Sequence, residues 1–169
     1  MNPEAERDYG DFVVARSQAL CRFAYLLCGD WHRAEDTVQT AFTKLYVAWG
    51  RIRDRGAVEP YVRRMVVTTL IDEGRLARFR REAVSGRVPE SPAGTDLAAA
   101  AGDRLTVLAA LARIPPRQRA VLVLRYWEDQ SVEQVAELLG CSPGTVKSQA
   151  ARGLQTLRGL LDDEVTAQV

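Results

Sequence analysis

The chain has 169 residues, 47% hydrophobic and 27% charged, an ordinary globular balance that suits one medium domain or two small ones. A net charge of +1 excludes a polycation that coats nucleic acid indiscriminately, and three cysteines are too few for a disulfide framework. No apolar run approaches the ~20 residues of a bilayer crossing, and the polar start MNPEAERDYGDF is no secretory signal, so a cytoplasmic, membrane-free protein is expected.

The composition is rich in Ala, Leu, Arg and Glu, and the expected fold is all-α. Helices are expected at 9–28, 31–49, 58–82, 103–113, 116–129, 131–139 and 143–161. The first carries Cys21 and Cys28 seven residues apart on one face, which reads most simply as two buried small hydrophobes. Gly29 stops it, and Asp30 caps the second, where Ala34, Val38, Phe42, Leu45 and Trp49 form one apolar stripe. Opposite that stripe lie Asp36, Gln39, Thr40 and Thr43, small and polar enough for a helical partner to approach closely. By themselves these residues read first as an ordinary solvated face. His32 is the only histidine and has no spaced partners, so no metal or cofactor is expected.

The third helix, YVRRMVVTTLIDEGRLARFRR at 61–81, is basic: residues 60–81 hold six arginines against Asp72 and Glu73. Val62, Met65, Val66, Thr69 and Leu76 form its inward stripe, while Arg64, Val67, Thr68, Ile71, Arg75 and Arg78 occupy the other side. Apolar groups interrupting a basic surface have two readings. Either the helix is buried on both sides, or arginines hold phosphates while the apolar chains meet exposed bases. Residues 83–102, AVSGRVPESPAGTDLAAAAG, have linker composition. The expected division is therefore a domain at 1–82, a linker at 83–104 and a domain at 105–169.

In the second domain, PPRQRAVLVLRYWED is expected to bury Ala120, Val121, Leu124 and Trp127. Ser131 with Gln134 has the spacing of a capping box, followed by buried Val135, Ala136, Leu138 and Leu139. Gly140 then ends the helix, and Ser142 and Pro143 start another. Short helix, tight turn and longer helix form the helix-turn-helix outline. The longer helix sets Val146, Ala150, Leu154, Leu157 and Leu161 in one stripe. Thr145, Ser148, Gln149, Arg152 and Gln155 lie opposite, with Lys147 at the flank. Residues 141–160 contain no acid, as a face meeting base edges and phosphates requires.

The run IPPRQRAVLVLRYWEDQSVEQVAELLGCSPGTVKSQAARGLQTLR resembles region 4 of bacterial sigma factors, the module that reads the promoter −35 element. GTVKS at 144–148 followed by Arg152 is its most telling part. Similarly, AEDTVQTAFTKLY at 34–46 resembles the region 2 helix that docks on the β′ clamp helices of RNA polymerase, and residues 61–81 resemble regions 2.3–2.4. The chain departs from the family pattern at Thr68, where an asparagine is usual, and at Gln149, where a basic residue is common. The resemblance covers about 11–82 and 105–161 and points to the extracytoplasmic-function group of the sigma-70 family. It implies a sigma region 2 helical bundle and a sigma region 4 helix-turn-helix joined by a flexible linker.

The implied function is to bind core polymerase, direct it to promoters through −10 and −35 elements and promote melting. Core polymerase contacts fall to Asp36, Gln39, Thr40 and Thr43. Contacts with −10 DNA fall to Arg64, Val67, Thr68, Ile71, Arg75 and Arg78, and −35 contacts to Thr145, Lys147, Ser148, Gln149 and Arg152. Implied partners are core RNA polymerase (β′ clamp helices, β flap), promoter DNA and an anti-sigma factor. No catalytic grouping is visible, so no enzyme is expected. LuxR-type regulators share such a helix-turn-helix, which leaves a dimeric regulator binding a palindromic operator without polymerase as the alternative.

Overall fold

The computed structural model describes the backbone of residues 2–84 and 103–167 and the side chains of 2–74 and 106–167. Among these residues there are helices and turns and no strand. Helix α1 spans Pro3–Cys28, α2 Trp31–Ala48 and α3 Val58–Val84, with short 3-10 turns at Trp49–Arg51 and Arg55–Ala57 between the last two. Then follow α4 (Asp103–Ala112), α5 (Pro116–Leu122, continuing as a π-helical stretch Val123–Trp127), α6 (Val132–Leu139) and α7 (Pro143–Ala167).

The cap residues act where the sequence places them. Gly29 takes φ +70° and its N–H reaches Tyr25 O, while Asp30 Oδ1 accepts the Arg33 N–H at 3.0 Å. Helix α1 starts six residues earlier than expected, because the Asn2 side chain accepts the Ala5 N–H at 2.8 Å and Pro3 opens the first turn. That signal stands ahead of the first apolar residue, where periodicity carries no information.

Helices α1, α2 and α3 bury Leu20, Phe23, Ala24 and Leu27 against Ala34, Val38, Phe42 and Leu45, and against Val58, Val62 and Val66. Tyr9 and Phe12 close one end over the buried Trp49, and Tyr9 donates its hydroxyl proton to Phe42 O at 2.9 Å. In the C-terminal half, α5 lies in the angle of α6 and α7. It buries Ala120, Val121 and Leu124 beside Val135, Ala136, Val146 and Ala150. The two halves do not stand apart. Helix α1 packs on α4 and α5, α3 packs on α5, and one continuous core runs through both.

Three packing expectations are corrected. Trp127 is 59% exposed, not buried, because the π-helical stretch adds a residue to the turn and rotates the following positions off the α-helical face. Leu154 is 40% exposed, and Gly153 takes the inward place. A Cβ on Gly153 would stand 3.0 Å from a Leu122 methyl, so α5 and α7 approach closely there. Leu138 and Leu139 are half-buried rather than buried.

Candidate nucleic-acid interface

Helix α7 is positioned as a reader by the turn before it. The Ser131 hydroxyl accepts the Gln134 N–H at 3.1 Å while Gln134 Oε1 accepts the Ser131 N–H at 2.8 Å, and both bonds fix the start of α6. Gly140 at φ +63° ends α6, and the Ser142 hydroxyl accepts the Thr145 N–H at 3.1 Å to start α7. Val146, Ala150 and Gly153 face the core, which leaves Lys147, Ser148 and Arg152 exposed and Thr145 and Gln149 half-exposed. Thr145, Ser148, Gln149 and Arg152 thus share one accessible face without a carboxylate among them, and Lys147 is exposed at its flank.

The expected −10 surface on α3 is less uniform. Arg64 is exposed, and Thr68 is partly exposed with its hydroxyl donating to Arg64 O at 2.8 Å. Ile71 is half-buried. Val67 is 0% exposed, so the expectation of an outward Val67 does not hold in this arrangement. Burial on both sides of α3 is the reading the structure favours at that position. The side chains of Arg75 and Arg78 lie outside the described residues.

The polar face of α2 presents Asp36, Gln39, Thr40 and Thr43, all exposed, beyond a ridge of buried Ala34, Thr37, Val38 and Ala41. Asp36 and Thr40 border a shallow polar groove with Asp30, His32, Arg33 and Glu73. Arg33 and Glu73 bridge its far wall at 3.3 Å.

Before α3 the chain turns tightly. Asp54 Oδ1 accepts the Gly56 N–H at 2.8 Å, and the Arg55 guanidinium sits 4.2 Å from the centre of the Trp49 ring while donating to Trp49 O. Arg51 and Arg53 project into solvent beside it.

Sequence reasoning missed Arg119. It is 8% exposed, has no carboxylate partner among the described residues and donates to three carbonyl oxygens: Leu27 at 2.8 Å, Ala112 at 2.7 Å and Ile114 at 2.8 Å. Desolvation pulls its pKa down to about 10, so it stays charged at physiological pH. An arginine in an Arg-rich stretch carries no sequence mark of burial.

The three cysteines are free thiols. Burial raises the pKa of Cys21 and Cys28, which keeps both protonated near neutrality and suits small hydrophobes better than reactive groups. Among the described residues no group of His, Cys, Asp and Glu has a metal-holding arrangement.

Residues 12–82 match the family described as sigma-70 region 2, and residues 104–157 match sigma-70, region 4. The chain is 38% identical over 151 residues to the RNA polymerase sigma-E factor of Streptomyces coelicolor, covering 89% of this chain and 84% of that one. It is 35% identical over 150 residues to the ECF RNA polymerase sigma factor SigL of Mycobacterium tuberculosis, covering 85% and 83%. Two solved structures share the fold. One is the sigma factor RpoE of Bartonella quintana in complex with the anti-sigma factor NepR, with a TM-score of 0.71 at 23% identity, covering 92% of this chain and 98% of that one. The other is CnrH in complex with the cytosolic domain of CnrY, with a TM-score of 0.62 at 25% identity, covering 94% and 90%.

Proposed function

The chain belongs to the sigma-70 family of RNA polymerase sigma factors, in its extracytoplasmic-function branch, and from that membership we propose how its surfaces divide the work. It joins core RNA polymerase, directs it to promoters through −10 and −35 elements and favours strand opening. The unit at 1–82 holds polymerase and −10 DNA, the unit at 105–169 reads −35 DNA, and 83–104 connects them. The observation that carries this reading is the acid-free, exposed strip of α7, carried on the same chain as the exposed polar face of α2.

Asp36, Gln39, Thr40 and Thr43 are proposed to meet the β′ clamp helices, with the C-terminal unit meeting the β flap. Arg64, Thr68 and Ile71, with Arg75 and Arg78, meet −10 DNA: arginines pair with phosphates and the smaller chains meet unstacked bases. Thr145, Lys147, Ser148, Gln149 and Arg152 meet −35 DNA. Lys147 suits a phosphate, and Arg152 and Gln149 suit base edges. No reaction is assigned. Binding that favours the separated strand shifts the duplex equilibrium without hydrolysis. An anti-sigma factor is a proposed further partner, since two structures of the same fold were determined with one or with a cytosolic partner domain. No helix among the described residues is long and apolar enough to cross a membrane, consistent with work in the cytoplasm.

Reconstituted transcription tests the reading. Core polymerase with this chain should initiate at specific sites, and neither component alone should do so. Binding of a symmetric DNA site by the purified chain, with no gain on adding core, would instead support the dimeric regulator.

A further inference from the structure

The chain carries 23 lysines and arginines, and only Lys44 and Lys147 are lysines. The two cations are used differently. Among the described residues, those tied to other groups are arginines: Arg16, Arg33 and Arg63 in ion pairs, Arg55 over the Trp49 ring, and Arg119 among carbonyls. Both lysines are exposed, and neither takes part in an ion pair among those residues.

Each lysine stands on one of the two faces assigned above to a macromolecular partner. On α2, Lys44 lies one turn from Thr40 and one turn from Val47, which is 71% exposed. It therefore borders the strip of Asp36, Thr40 and Thr43. On α7, Lys147 flanks the face of Ser148 and Arg152, and its neighbours one turn away are Pro143, Gly144, Ala150 and Ala151. None of these is acidic or large, so the Lys147 ammonium is open to solvent and to an incoming reagent. Around Lys44 the corresponding positions, Thr40, Ala41, Val47 and Ala48, are equally free of acid.

This placement matters because the two cations differ in reactivity. A guanidinium keeps its proton throughout the physiological range, whereas a lysine amine that has lost its proton attacks an activated acyl carbon. Acyl transfer to side-chain nitrogen can therefore reach this chain at two points, and each lies on a working face. We propose, resting on the surface assignments above, that Lys147 and Lys44 are acyl-acceptor sites. Amide formation there by an acyl phosphate disengages the chain from promoter DNA and from polymerase. The Nζ ammonium first gives one proton to water, and its lone pair attacks the acyl carbon. The N–C bond forms, the C–O bond to phosphate breaks, and phosphate leaves with that electron pair. A second proton passes from nitrogen to the leaving phosphate, and a neutral amide remains. At Lys147 this removes one cation from contact with the DNA backbone. At Lys44 it removes charge and adds bulk where a helical partner approaches.

Acetyl phosphate is the probe, applied to the purified full-length chain, with the modified positions mapped by mass spectrometry. Lys44 and Lys147 should both gain an acetyl group. A Lys44→Arg chain isolates the effect at Lys147, and a Lys147→Arg chain isolates the effect at Lys44, each compared with itself before treatment. With core polymerase, acetylation at Lys147 should weaken binding to DNA selected by the untreated holoenzyme about tenfold at about 0.1 M salt. The slope of log affinity against log salt should become shallower by about 0.9, a change that general damage to the fold does not produce. Acetylation at Lys44 should lower the share of chain that elutes with core polymerase in gel filtration several-fold. A chain with both Lys44→Arg and Lys147→Arg should not respond to treatment. A response of that double variant equal to the unaltered chain's would overturn the proposal, because the effect would then arise elsewhere. Undiminished binding of core and promoter by the acetylated chain would overturn it too, as would failure of the lysines to take the acetyl group. If the untreated chain does not direct core polymerase to specific DNA, the sigma-factor reading itself fails, and the untreated control shows this separately.

Discussion

Arg119 carries a charge into the interior, where three carbonyl oxygens meet it. Its three acceptors belong to α1, α4 and the loop before α5, so one side chain ties together segments distant in sequence. Arg119→Met should lower stability by on the order of 3 kcal/mol in urea denaturation, because buried carbonyls lose their donors. Arg119→Lys should recover only part of this, since one ammonium lacks the planar fork that spans three oxygens. The folded pKa of about 10 lies below the ordinary guanidinium value, so the unfolded chain binds this proton more tightly. Charging Arg119 therefore costs stability at all lower pH, and the cost is relieved only as pH rises beyond about 10. The denaturation midpoint should show no Arg119-dependent change between pH 6 and 9. On the DNA side, Arg152→Ala should weaken −35-dependent initiation by about 1–3 kcal/mol if it makes a bidentate base contact, read by footprinting and initiation rate.

At the scale of elements, the short helix α6 depends on its ends. Eight residues are too few for a helix to persist by propensity, and the reciprocal Ser131–Gln134 bonds satisfy two donors that would otherwise be orphaned. Ser131→Ala should cost about 1 kcal/mol in thermal or urea unfolding and fray the start of α6 in hydrogen exchange. Helix α2 is assigned a different task. Its apolar stripe is consumed by the core, so the opposite face is free to meet a partner. Asp36→Arg should abolish assembly with core polymerase in gel filtration while leaving the C-terminal unit folded by circular dichroism. Normal assembly would contradict the docking face.

For the whole molecule, the governing feature is one core shared by two family regions. A chain of this length whose halves share one core should show a radius of gyration of about 15 Å in small-angle scattering. A value already well above that for the unaltered chain would mean that the halves part freely in solution. The shared core also treats the two basic segments of this chain of net charge +1 differently. The α7 strip stays in solvent, while α3 turns one stripe inward and keeps Arg64 outside.

Much of the chain was legible from its residues. Caps at Asp30, Ser131 and Ser142 and stops at Gly29 and Gly140 are local signals, set by hydrogen bonds within a few residues, so sequence spacing suffices to place them. The same holds for the strip from Thr145 to Arg152, because helical periodicity decides which side chains oppose Val146 and Ala150. Tertiary structure decided the rest. Val67 is apolar on a basic helix whether it meets a base or a neighbouring helix, and only the packing of α5 against α3 distinguishes the two. Trp127 left the core through a π-helical residue that no period reveals, and Arg119 entered it because the distant Leu27 carbonyl converges there with the nearby carbonyls of Ala112 and Ile114. Periodicity records that a side chain needs cover; which surface supplies the cover is settled by contacts between residues far apart in the chain.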